Sequence, residues 1–387
     1  MARSTPIPVS PRVGPRGSVA LVSSAPPNQR LVSLDALRGF TMFWIMGGRE
    51  LALALVACTF PAWFDVAETQ MTHPRWQGFV TWDLIMPVFL FVVGTAMPFA
   101  FARRFEDGEA LWPTYLRIVR RVAVLWILGM VAQGTLLKYQ WHGLEFYSNA
   151  LQAIAAGYLV TSLALLHLSR SRQIMLIVLL VVTYWALLAF VPFAGHPAGT
   201  YEKTANVARY VDELVLGTHR ADHKFAWIIT SMGFAATVLL GAQAGHLLRS
   251  WLPASRKLAL LVAIGLTLLS VGWLWSYWVP LNRHLWTSSM ILWAGGWSFL
   301  LLALFYGVID VAGIKSWSFP FVVIGANALL AYVFDHVFDQ DLSKILLGNL
   351  AGQWPTAYGD LLLAVGEVGL LWLILWYLYR NRTFLRA

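Results

Sequence analysis

Cysteine is nearly absent. The single Cys58 of this 387-residue chain lies in an apolar run, which excludes an internal disulfide and a thiolate metal cluster, and Cys58 reads as packing. Charge is scarce as well, at 12% of residues against 58% hydrophobic, with a mean hydropathy of +0.63. No soluble domain of this size needs so much apolar surface, so the composition predicts an all-α, polytopic membrane protein. The sequence holds no GxGxxG or phosphate-loop pattern, no repeat at a fixed period and no HExxH. Its dispersed histidines have no paired ligand spacing, so no metal is expected. Residues 1–29, rich in Pro, Ser and Arg, lack the apolar core of a signal peptide and are expected to be a disordered cytoplasmic tail before a transmembrane domain over 30–387.

What is present is a series of apolar runs. Ten are long enough to cross a bilayer, near 40–58, 84–102, 118–137, 149–168, 174–194, 226–248, 258–279, 288–309, 319–338 and 361–379. The formal net charge of +9 is not a nucleic-acid signature, because of where the charges fall. With a cytoplasmic N-terminus and ten alternating spans, nineteen of the 28 Lys and Arg residues fall on the inner side, and every inner segment carries at least one. That is the positive-inside pattern, and it puts both termini in the cytoplasm. It also turns the loops with His73, His219 and Pro280–Thr287 outward. Twenty tryptophans suit two interfacial belts.

Polar residues interrupt the apolar pattern in a few places. In THPRWQGFVTWDLIMPVFLFVVG, Thr72 to Gly94, a polar stretch with His73, Trp76 and Asp83 runs straight into a span. Asp83 is expected at the N-cap, with Pro87 one turn later, where proline is tolerated. An imidazole suits general-base work near neutral pH, and Asp83 could orient it by accepting its other ring proton. The helix start would also favour a developing oxyanion. In RLVSLDALRGF, Asp35 and Arg38 share a helix face, either as a pair or as an anchor at the inner headgroups. Arg117, Arg120 and Arg121 at one helix start either report topology or hold a phosphorylated cytoplasmic ligand. In VPLNRHLWTSS, residues Asn282, Arg283, His284 and Trp286 make a compact polar and aromatic cluster that suits a polyol or serves as an interfacial turn. The ninth span carries Asn327, Asp335 and His336, the first ends in Arg49 and Glu50, and the tenth holds Glu367. Such groups need partners inside the bundle.

Five ordered blocks carry a resemblance: SLDALRGF at 33–40, THPRWQGFVTWDLIMPVFLFVVG at 72–94, LLGAQAGHLL at 239–248, PLNRHLWTSS at 280–289 and GANALLAYV at 325–333. Together they resemble the heparan-α-glucosaminide N-acetyltransferase family, in its bacterial members without the lumenal N-terminal domain of the animal enzyme. The resemblance implies transfer of acetyl from cytoplasmic acetyl-CoA to an amino sugar on the far side of the membrane. It implies that His73, in the H-x-x-W-x-G-x-x-x-x-D block, is catalytic, as base or as acetyl carrier, with Asp83 as its orienter. On this reading Trp76, Asn282, Arg283, Trp286, Asn327 and Glu50 line the acceptor or acyl path. Arg38, Arg117, Arg120 and Arg121 meet the CoA phosphates. Arg49 and Glu50 stand where the animal enzyme has an asparagine near its active site.

The expected setting is a bacterial inner membrane, with membrane lipid around the spans, an amino sugar or glycan as acceptor, no nucleic acid, and a homodimer left open. Two rival readings use the same residues. One is an O-acyltransferase of cell-envelope glycans. The other is a sugar or anion transporter in which Asp335, His336 and Glu367 relay protons. The lack of an internal repeat argues against the transporter.

Overall fold

The computed structural model describes residues 31–106, 111–134, 136, 144–220, 225–337 and 341–385. The predicted tail over 1–29 lies outside them. Within them the chain is helical, with isolated bridges in place of sheets. The helices are α1 (Val32–Thr59), α2 (Phe64–Gln70), α3 (Thr81–Ala102), α4 (Leu111–Ala132), α5 (Ala150–His167), α6 (Arg170–Phe190) and α7 (Val207–Leu216). They continue as α8 (Ser231–Leu248), α9 (Ala254–Trp275), α10 (Ser288–Val311), α11 (Ser316–Ala326), α12 (Ala328–Val337), α13 (Asp341–Ala351) and α14 (Thr356–Arg380).

Eight of these are long and apolar enough to cross a membrane, and the α11–α12 pair, bent by 67° at Asn327, makes a ninth if counted as one broken span. The remaining predicted span, the run near 118–137, falls on α4. It has the length, at 22 residues, but Arg117, Arg120 and Arg121 crowd its first half, so composition alone does not qualify it. The polytopic all-α fold is as the apolar runs predict. The count differs because one run is broken and another is charged.

The bundle is organised around α8, fourteen of whose eighteen residues are buried. Its small residues allow this. A Cβ on Gly241 would sit 2.0 Å from the Phe91 carbonyl oxygen, and one on Gly94 of α3 would sit 1.9 Å from that of Val238. Helices α3 and α8 therefore cross backbone to backbone, the packing that small residues permit in lipid. Around this pair sit α1, α5, α6 and α10, and the broken α11–α12 unit packs on α1. Helices α9 and α14 are largely exposed, and their apolar faces suit the surrounding hydrocarbon. Helix α1 is bent by a π-turn over Trp44–Gly48, where Gly47 takes φ 109°. Two chambers open along the face of α3, one at each end.

Candidate active site

The first turn of α3 differs from the predicted cap. Val80 is the cap residue, and Asp83 is the third residue of the helix. Its carboxylate reaches back, Oδ2 accepting from the Val80 N–H at 3.1 Å. That leaves Oδ1 for His73, whose Nδ1 lies 2.7 Å away. Pro74 follows the histidine and holds it extended, so a ten-residue loop returns the ring to the helix start. The Asp83 side chain is 0% exposed and that of His73 is 36% exposed. The carboxylate thus fixes the tautomer with Nδ1–H facing inward, leaving Nε2 as a free lone pair.

Arg283 closes the triad from the loop between α9 and α10, its Nη1 3.4 Å from Asp83 Oδ1 and its guanidinium over the Phe225 ring at 4.7 Å. Its pKa falls to about 10 on burial, with Asp83 opposing the shift, and it stays charged at neutral pH. The pKa of His73 is also lowered. Burial is the largest cause, and the charges of Arg283 and Arg49 add to it against the hydrogen bond and charge of Asp83. The imidazole is therefore neutral and basic at pH 7.

These side chains border a chamber of about 250 Å³ whose walls include Trp82, Met86, Phe89, Trp286, Tyr332 and His336. Trp286 adopts φ +50°, a left-handed conformation costly for a bulky residue, and donates its Nε1 to Thr237 Oγ1 at 3.1 Å. Its ring thus faces the chamber at the cost of backbone strain. His336, one turn after Tyr332, stacks on that ring with centroids 4.2 Å apart and has its Nδ1 3.0 Å from the Tyr332 carbonyl.

Other predicted site residues have different duties. Trp76 donates to the Tyr201 carbonyl at 2.7 Å and stacks on His284, centroids 5.3 Å apart, so it braces the loops and does not line the chamber. Burial and the neighbouring Arg283 lower His284 to about 4, so this stack is uncharged at neutral pH. Asn282 is wholly buried and accepts from the backbone N–H groups of His284 and Leu285, which makes it the turn-former of its loop. Gly78, at φ 115°, donates to the Leu281 carbonyl and joins the two loops.

Glu50 accepts from its neighbour Arg49, Nη1 to Oε1 at 3.0 Å, and lines a separate cavity of about 530 Å³ with Lys344, Asp360 and Glu367. The same Arg49 places its Nε on the Met71 carbonyl at 2.7 Å and its Nη2 on Thr72 Oγ1 at 3.3 Å, and so ties the Glu50 pair to the backbone just before His73. Asn327 does not line the His73 chamber. At the α11–α12 break it donates to the Thr383 carbonyl and accepts from the Leu385 N–H, tying the chain's C-terminal segment to the break.

A second chamber, of about 650 Å³, follows the same helices toward the other end of α3. Its lining includes Asp35 and Arg38 of α1, Val93, Met97 and Ala100 of α3, Arg121 of α4, Tyr158 of α5, and Leu385. Arg121 lies over the Tyr158 ring at 4.4 Å, and its Nε is buried without a hydrogen-bond partner among the described residues. Arg38 pairs with Asp35 at 3.5 Å. Arg117 and Arg120 are absent from this lining, and Arg120 is exposed, so of the four predicted arginines two reach the chamber. Phe89 and Ile154 border both chambers.

Sequence reasoning did not single out Trp82, Tyr332 or Tyr158. Trp82 stood inside the 72–94 block, next to the Asp83 that was chosen. Tyr332 stood inside the block at 325–333. Tyr158 had no signal beyond an aromatic residue in an apolar run.

Comparison with known proteins follows the same lines. A family described as a domain of unknown function (DUF5009) matches residues 30–197. The chain is 23% identical over 378 residues to heparan-alpha-glucosaminide N-acetyltransferase of Homo sapiens, covering 82% of this chain and 54% of that protein. It is 23% identical over 347 residues to the Mus musculus protein of the same name, covering 74% and 52%. The resemblance carried by the five blocks thus extends over most of the chain, and the chain spans about half the length of the curated relatives it matches.

Proposed function

We propose that this protein is an integral-membrane acetyltransferase that takes acetyl from acetyl-CoA at the Arg121 end of the bundle and delivers it to an amino sugar at the His73 end. One observation carries the reading. The two chambers meet at Phe89 and Ile154, and from Asp83 to Ala100 a single face of α3 lines them in succession over about 25 Å. A donor with a charged head and a long thin arm fits such a path, and the relatives' name supplies an acetyl transfer to a glucosaminide.

The residues at the head end fit coenzyme A. The buried, unpartnered Nε of Arg121 and the guanidinium of Arg38 offer donors for phosphate, and the C-terminal segment tied to Asn327 closes one wall. At the other end, neutral His73 takes a proton from the attacking amine through Nε2 while Asp83 holds Nδ1–H. The amine nitrogen bonds to the thioester carbonyl carbon, the C–S bond breaks, and the proton passes to the departing thiolate, giving amide and free thiol. Arg283, fixed beside Asp83, holds positive charge near the oxyanion that forms on the way.

The charge bias of the loops supports a cytoplasmic Arg121 end, and a bacterial inner membrane is the setting we propose. The test is radiolabelled acetyl-CoA with the purified protein and glucosamine or chitobiose. Wild type is expected to form labelled N-acetyl product, and His73→Ala to lose it. Transfer undiminished in His73→Ala would overturn the mechanism. Offering a hydroxyl acceptor beside the amine decides against O-acylation if only the amine is modified.

A further inference from the structure

Two residues, Phe89 and Ile154, line both chambers. Phe89 projects from α3 and is half-buried, while Ile154 on α5 is 3% exposed, and the two helices pack together. An arm reaching from the larger chamber to His73 runs past both an aromatic ring and a β-branched side chain, and the latter is stiff at χ1. Beyond them lies a chamber of about 250 Å³, smaller than the roughly 300–1,000 Å³ of sites that hold drug-sized ligands. One of its walls is Trp286, pinned by Thr237. This small space has to admit the acyl group and the attacking amine together.

We propose that Phe89 and Ile154 form a gate that sets the acyl length of the donor, passing acetyl and excluding longer chains. The proposal rests on the acyl-CoA reading above and adds to it which side chains choose the donor. The gate takes no part in bond making. The same C–N bond forms and the same C–S bond breaks whichever acyl group arrives, and neither side chain carries a titratable group. Selection here is steric. In an apolar site one methylene is worth roughly 10–200-fold in discrimination, so two extra carbons are enough for a clear preference.

The experiment uses the full chain in detergent or nanodiscs with glucosamine and a series of acetyl-, propionyl-, butyryl- and hexanoyl-CoA, reading initial rates by mass spectrometry. Wild type is expected to favour acetyl over butyryl by about tenfold or more. Phe89→Ala and Ile154→Ala should each raise the butyryl-to-acetyl ratio by about tenfold, and Phe89→Trp should lower the propionyl-to-acetyl ratio. The ratio within one preparation is unaffected by partial loss of folded protein. Should Phe89→Ala fail to give a monodisperse protein, Phe89→Leu and Ile154→Ala carry the test. A wild type that uses butyryl as well as acetyl, or variants that keep the wild-type ratio, would overturn the gate alone. A wild type inert with every thioester overturns the donor reading and the gate with it.

Discussion

At His73 three neighbours act on one imidazole. Burial and the charges of Arg283 and Arg49 lower its pKa from 6.5, while Asp83 pulls the other way. In the proposed mechanism the neutral ring is the active form, so the His73 limb of kcat/KM should appear only as the pH drops below that ordinary value. Arg283→Gln removes a charge that opposes protonation, so the acid limb should move up in pH. Asp83→Asn removes the acceptor that favours the imidazolium, so its limb should move down, with a rate loss of about 10²–10⁴-fold from a misoriented ring. A pH–rate profile of each variant checks both signs. The pairing of His73 with Asp83 was readable because the two lie ten residues apart across Pro74 at a helix start. The arrival of Arg283 from 200 residues away was not, since a tertiary loop contact leaves no local spacing. Arg49 and Glu50 could not be told apart either. The two pair with each other, and Arg49 also reaches Met71 and Thr72 of the His73 loop, contacts that adjacency in sequence does not encode.

At the scale of elements, the site depends on α3, whose face lines both chambers and whose position is set by contact with α8. Gly241→Ala would place a methyl 2.0 Å from the Phe91 carbonyl oxygen and push the helices apart. We expect a loss of about 1–3 kcal/mol, seen as a lower Tm in detergent, along with weaker activity from a displaced Asp83. The break at Asn327 makes a different prediction. Both halves of its amide hold the segment over 383–385 against the Arg121 chamber. Asn327→Leu should raise KM for acetyl-CoA on the order of fivefold, the loss of about 1 kcal/mol, with kcat nearly unchanged. An effect on acceptor KM instead would return Asn327 to the role its sequence suggested. The ten apolar runs were legible as helices because apolar length is a local property. The break was not, because the sequence shows only one more polar residue in an apolar span, and its partner is the distant end of the chain.

At the scale of the whole molecule, the account makes the bundle a bridge between two compartments. In the proposed function the basic end, with Arg38 and Arg121, receives the donor, and the opposite end, with His73, receives the acceptor. Charge counting suggested this polarity, and the chambers along α3 give it a path. The most direct measurement reconstitutes the protein in sealed vesicles of known orientation. Labelled acetyl-CoA is placed on the side of the Arg121 end, and an impermeant amino sugar is placed only on the side of His73. The account predicts labelled N-acetyl sugar formed across the membrane by wild type and none by His73→Ala. Product formed only when donor and acceptor share one side, or formed equally by His73→Ala, would contradict it.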